Sequence, residues 1–109
     1  MTQMESLAFL AIFNNFSRLY HERATWSRTP EPESWKFACM ALAWQDAANE
    51  LSDQGDEETI DPQVFLAKAL FYRERAAADG LHWEENYCHL AMAEAWEAAY
   101  HELNGFKEN

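Results

Sequence analysis

Two short segments of the same form carry the polar residues best spaced for chemistry. Tyr20 to Ala24 reads YHERA and Tyr72 to Ala76 reads YRERA, so Tyr, Glu and Arg recur at identical offsets. Arg23 and Arg75 could together clamp an anionic ligand bidentately. The opposing reading is structural. Each Arg falls near the C-terminal end of an expected helix, where the dipole favours a cation, with a repeated acid such as Glu50 or Glu102 as its partner. A core Tyr and a core Ala flank each Arg, so the structural reading is the one expected.

His82, Glu85 and His89 lie at i, i+3 and i+7, with Cys88 beside them. On a helix this spacing could put three metal ligands on one face. Fifty-two residues earlier, however, the equivalent positions hold Pro30, Glu33 and Phe37. His89 therefore stands where a core Phe stands, and a half-buried, hydrogen-bonded His is expected, with no metal and no cofactor. The pair Glu94 and Glu97 resembles the paired acids that hold Mg²⁺ in the all-α nucleotide pyrophosphohydrolases. That resemblance implies a second acidic pair on a facing helix, and Asp46 with Glu50 does not have the usual spacing. The Glu-x-x-His pattern of ferritin-like metal proteins is missing. There is no Gly-rich phosphate loop and no Ser/His/Asp or Cys/His set. No catalytic residue is assigned and an enzyme is not expected; an all-α metal-dependent enzyme is the last of the alternatives.

The elements that must position these groups are announced by a repeat. Sliding the chain by 52 residues compares 13–51 with 65–103, and thirteen of the thirty-nine positions match. They are Phe13/Phe65, Tyr20/Tyr72, Glu22/Glu74, Arg23/Arg75, Ala24/Ala76, Glu33/Glu85, Met40/Met92, Ala41/Ala93, Ala43/Ala95, Trp44/Trp96, Ala47/Ala99, Glu50/Glu102 and Leu51/Leu103. Composition alone would give roughly three or four. The pattern reads as an internal duplication. In the first helix of each copy Phe13, Ser17, Tyr20 and Ala24 answer to Phe65, Ala69, Tyr72 and Ala76. In the second, Met40, Trp44, Ala47 and Leu51 answer to Met92, Trp96, Ala99 and Leu103. Both sets follow i, i+4, i+7, i+11, one helical stripe.

Punctuation sets the ends. Pro and Glu in Thr29 to Glu33 suit a first helical turn. Asp61 with Pro62 reads as an N-cap followed by proline at the first helical position. Asp79–Gly80 and Asn104–Gly105 read as stops. Helices are expected near 3–26, 32–52, 62–79 and 82–104. Two hairpins are too few for an open solenoid. The expected fold is all-α, a single domain over 1–109: a four-helix bundle of two duplicated hairpins related by a pseudo-twofold axis. The period does not fit tetratricopeptide or ankyrin units.

The bulk composition agrees and adds an electrostatic argument. The 109 residues include seven Phe, five Trp and four Tyr but only three Gly and three Pro. A chain of this length buries roughly two-thirds of its unfolded surface, enough for a core without staples. Cys39 and Cys88 are too few for a disulfide scaffold and read as reduced, partly buried thiols of a cytoplasmic protein. Glu5 and the lack of a basic start argue against a signal peptide. The apolar run Leu7 to Phe13 is too short to span a bilayer. The net charge of −11 disfavours direct contact with nucleic acid or an anionic membrane.

The charge is also segregated. Residues 37–67 hold seven acids and no Lys or Arg: Asp46, Glu50, Asp53, Asp56, Glu57, Glu58 and Asp61. Residues 76–106 hold six and no Lys or Arg: Asp79, Glu84, Glu85, Glu94, Glu97 and Glu102. Seven of the eight bases lie on or near the first helix of each copy, Lys36 at the start of the second helix being the furthest from it. If the two second helices adjoin, one side of the protein is strongly acidic. A solvated face would explain this, but so would a steering surface for a basic partner. The partner-binding residues expected are Asp46, Asp53, Asp56, Glu57, Glu58, Asp61, Glu84, Glu85, Glu94 and Glu97. Trp26, Trp35 and Trp83 lie outside the repeated stripes; Trp35 and Trp83 are expected to staple the turns, and exposed Trp also anchors interfaces.

In size, charge and architecture the chain is similar to phage and mobile-element inhibitors of nucleic-acid-targeting defence systems, anti-CRISPR and anti-restriction proteins among them, and to immunity proteins. The expected function is accordingly protein–protein inhibition of a partner with a basic surface. The alternative is a dimeric helical scaffold or regulatory subunit, a homodimer joined through the apolar surplus of LAFLAIFNNF (7–16) and VFLAKALF (64–71).

Overall fold

The computed structural model describes residues 3–26, 28, 30–54, 61–78 and 83–108, with the side chains of 3–6, 32 and 105–108 left aside. Its elements are four helices: α1 (Gln3–Thr25), α2 (Glu31–Gln54), α3 (Pro62–Ala76) and α4 (Trp83–Glu108). Among the described residues there is no strand. The close pairings are α1 with α2, α3 with α4, and α2 with α4, an all-α helical bundle in which the second helix of each hairpin packs on the other.

Most of the core is made of repeated residues, joined by Phe9, Ala48 and Ala69. Phe13, Ala43, Trp44, Ala47, Leu51, Phe65, Ala95, Trp96, Ala99 and Leu103 are all at most 2% exposed and form one cluster. The alanines allow close helix approach, and the aromatics fill the space between. Phe13 meets Trp44 with ring centroids 5.2 Å apart, and Phe65 meets Trp96 at 5.6 Å. Phe13 and Phe65 touch each other edge to face at 6.1 Å, joining the hairpins. Such aromatic pairs add roughly 0.5–1.5 kcal/mol each beyond their buried area.

The two hairpins are also closed by corresponding contacts. Ser34 Oγ donates to the Ala24 carbonyl, and Asn86 Nδ2 donates to the Ala76 carbonyl. Each bond takes up an orphan carbonyl at the end of a helix. Tyr20 stacks on Phe37 at 5.8 Å, and Tyr72 stacks on His89 at 6.1 Å.

Asp61 is the N-cap of α3: its Oδ1 accepts from the Gln63 backbone N–H at 3.0 Å, and Pro62 is the first helical residue. Gln54 holds the same point from the other side, accepting the Asp61 N–H at 2.8 Å. The ends differ from the sequence expectation in two places. The last turn of α3 closes at Ala76, where the Ala77 N–H bonds Arg73 O and the Ala78 N–H bonds Arg75 O; Asp79 and Gly80 lie outside the described residues. α4 does not stop at Asn104–Gly105 but runs to Glu108. A glycine inside a helix costs only about 1 kcal/mol relative to alanine, too little to end it unaided.

One expectation is overturned. Cys39 and Cys88 are not free thiols; they form a disulfide between α2 and α4, with Cα atoms 5.6 Å apart. That separation is within the range a bridge requires. The two residues are 49 positions apart and do not occupy matching places in the repeat, so only helix packing brings them together. The reduced-cysteine argument for a cytoplasmic location falls with this finding.

Candidate partner-binding face

The condition on which the acidic side depended is met: α2 and α4 are neighbours. Lys36 Nζ on α2 reaches Glu94 Oε2 on α4 at 3.4 Å, and the disulfide spans the same contact. Their N-terminal ends lie together, because Glu31 and Trp35 share a cavity with Trp83 and Glu84. The base-free helical segments 37–54 and 83–106 therefore belong to two helices packed against each other.

The expected acids take different places on this frame. Asp46 and Asp53 are exposed on α2, and Glu85 and Glu94 are exposed on α4. Glu84 and Glu97 are half-buried. Glu84 and Glu85 occupy the first turn of α4, where the helix dipole favours a carboxylate. Glu94 faces Lys36, and Glu97 is bonded to Arg73 and lies 3.7 Å from His101 Nε2. These two acids thus have cations of their own chain beside them. Asp61 is exposed and is also the α3 cap. Asp56, Glu57 and Glu58 lie outside the described residues.

The repeated arginines do not pair with Glu50 or Glu102. Antiparallel hairpins put the end of α1 against the start of α2, so Arg23 meets Phe37, not the distant Glu50. Arg23 Cζ lies 5.9 Å from both the Tyr20 and Phe37 ring centroids, and Arg75 Cζ lies 5.4 Å from Phe71. Guanidinium on aromatic faces of the same hairpin is a packing role. Glu50 instead accepts from Gln54 at 3.1 Å. His89 is half-buried on Tyr72, in the place of Phe37, itself half-buried and not a core residue, but its Nδ1 is buried without a hydrogen bond, contrary to expectation. His82 lies outside the described residues. Among the described residues no group of three His, Cys, Asp or Glu is placed to hold a metal ion.

The sequence did not signal the concave surface around the disulfide. Trp35 is 46% exposed and Trp83 63%, and with Glu31 and Glu84 they line a cavity of about 230 Å³. Beside it, Trp35, Cys39, Leu42, Cys88 and Ala38 line a shallower groove of about 500 Å³. Both Trp residues stand outside the repeated stripes, and that, with the tendency of exposed Trp to anchor interfaces, is the hint the sequence carries. Compared with models of protein families, with curated proteins and with solved structures, the chain has no match in any of the three.

Proposed function

We propose that this acidic helical bundle is a protein-binding protein that inhibits its partner by covering a basic, nucleic-acid-binding surface, in the manner of anti-CRISPR, anti-restriction or immunity proteins. The observation that carries the reading is the packing of α2 on α4, which joins the two segments that lack Lys and Arg. Exposed Asp46, Asp53 and Glu85 then act together on an approaching cationic surface. Their combined field would raise the association rate and disfavour phosphate-bearing competitors. Glu94 and Glu97 contribute less to that field, because Lys36 and Arg73 partly neutralise them. No helix among the described residues is long and apolar enough to cross a membrane.

The test is capture from the native host, with partner retention compared at low and high salt. A bound partner should be released steeply as ionic strength rises, and Asp46→Asn with Asp53→Asn should slow association. A partner whose affinity ignores salt would defeat the electrostatic reading.

A second reading, a dimeric scaffold, is favoured by one observation. Ile12, Phe16 and Leu19 line a shallow depression on α1, and Leu70 and Phe71 are exposed on α3. Sedimentation would reveal a tight dimer; a strict monomer would dispose of it. We also read the hairpins 13–51 and 65–103 as copies of one ancestral unit about a pseudo-twofold axis. The equal burial of Phe13 and Phe65, of Trp44 and Trp96, and of Leu51 and Leu103 supports this. An experimental structure in which the halves do not superimpose would refute it.

A further inference from the structure

We infer that the cavity between the first turns of α2 and α4 receives a single arginine side chain of the partner. The inference deepens the reading of a basic partner and rests on it for the source of the arginine.

At about 230 Å³ the space is smaller than the pockets that take cofactors or drug-sized ligands, and suits one side chain. Among the described residues its lining is two indoles and two carboxylates: Trp35, Trp83, Glu31 and Glu84. Indole faces attract cations, and a planar guanidinium both stacks on them and donates a fork of hydrogen bonds to a carboxylate. A lysine ammonium would meet the charge but not the stacking geometry. An anion would meet two carboxylates. A neutral apolar group would leave those carboxylates unpaired.

Two helix N-termini lie here, each with about half a positive charge, and they oppose a cation. The first turns carry four carboxylates in all, from Glu31, Glu33, Glu84 and Glu85, which outweigh that opposition. Lys36, one turn further along α2, has its ammonium held by Glu94 at 3.4 Å. Arg28 is not among the residues that line the cavity. Both tryptophans are exposed here, a location where Trp commonly anchors an interface.

The five indole N–H resonances of the full chain give the test. The probe is N-acetyl-arginine methylamide, and its neutral isostere, the citrulline derivative, is the comparison. The Trp35 and Trp83 signals should move saturably with the arginine probe, while exposed Trp26 and buried Trp44 and Trp96 stay in place. The citrulline probe should bind at least about fivefold more weakly. Glu31→Gln with Glu84→Gln should weaken the arginine probe by a similar factor. Unmoved Trp44 and Trp96 signals would show that this variant is folded. Equal response to both probes, movement of Trp26 alongside Trp35 and Trp83, or no saturable shift would overturn the assignment. Those outcomes concern the cavity alone; the salt dependence of partner capture judges the acidic face independently.

Discussion

Cys39 and Cys88 join α2 to α4 with their Cα atoms 5.6 Å apart, tying the hairpins at the contact that brings the acidic segments together. Closing a loop with a sequence separation of 49 removes chain entropy worth roughly 4 kcal/mol on a loop-closure estimate. Cys39→Ser with Cys88→Ser, or reduction of the natural chain, should lower the denaturant midpoint substantially. Thiol titration of unreduced protein should find no free cysteine. Two titratable thiols, or a midpoint indifferent to reductant, would contradict the bridge.

Leu51 and Leu103 are both fully buried at matching positions of α2 and α4. Each should cost about 2–5 kcal/mol when changed to alanine, and the two losses should be similar. Trp26→Ala, at a 59% exposed site, should change stability by no more than about 0.5 kcal/mol. Urea unfolding of the three variants checks the core directly; a mild Leu103→Ala beside a severe Leu51→Ala would mean the copies are packed differently.

His89→Phe should stabilise the protein. The ring stacks on Tyr72 in the relation Phe37 has to Tyr20, yet its Nδ1 is buried with no partner. An unpaired buried polar atom costs about 1–3 kcal/mol, which a phenyl ring of similar shape would recover in part. A lower melting temperature for this variant would show that the imidazole does something a phenyl ring cannot.

Asp61→Ala removes the side-chain acceptor for Gln63 N–H at the start of α3. The expected loss is about 1 kcal/mol. Asp61→Asn should restore most of it, because an amide oxygen caps nearly as well. If the asparagine variant is as weak as the alanine one, Asp61 acts through charge and not through capping.

Much of the fold was legible beforehand because it is written in local periodicity. The stripe Met40, Trp44, Ala47, Leu51 can be counted from the chain, and so can the Asp61–Pro62 helix start. Most of the apolar positions shared by the copies marked the core, since an apolar side chain kept at the same offset twice meets the same packing demand; the shared Glu and Arg positions stayed outside it. The cap signals were weaker where they were not anchored. Asn104–Gly105 did not end α4, because a flexible residue permits a stop without enforcing one. The pairing of Arg23 with Glu50 failed for a topological reason: antiparallel helices bring unlike ends together.

The sequence by itself determined an all-α chain, its helix limits to within a few residues at most ends, its buried stripes, and the confinement of Lys and Arg away from 37–67 and 76–106. Only the tertiary structure decided that α2 and α4 are neighbours, that Cys39 finds Cys88, that Glu94 and Glu97 face cations of their own chain, and that Trp35 and Trp83 enclose a cavity with Glu31 and Glu84. The physical reason is range. Periodicity and capping act over one or two turns and leave their mark in neighbouring residues. Contacts between residues some fifty positions apart depend on how whole helices cross, and the packing of the entire core sets that crossing.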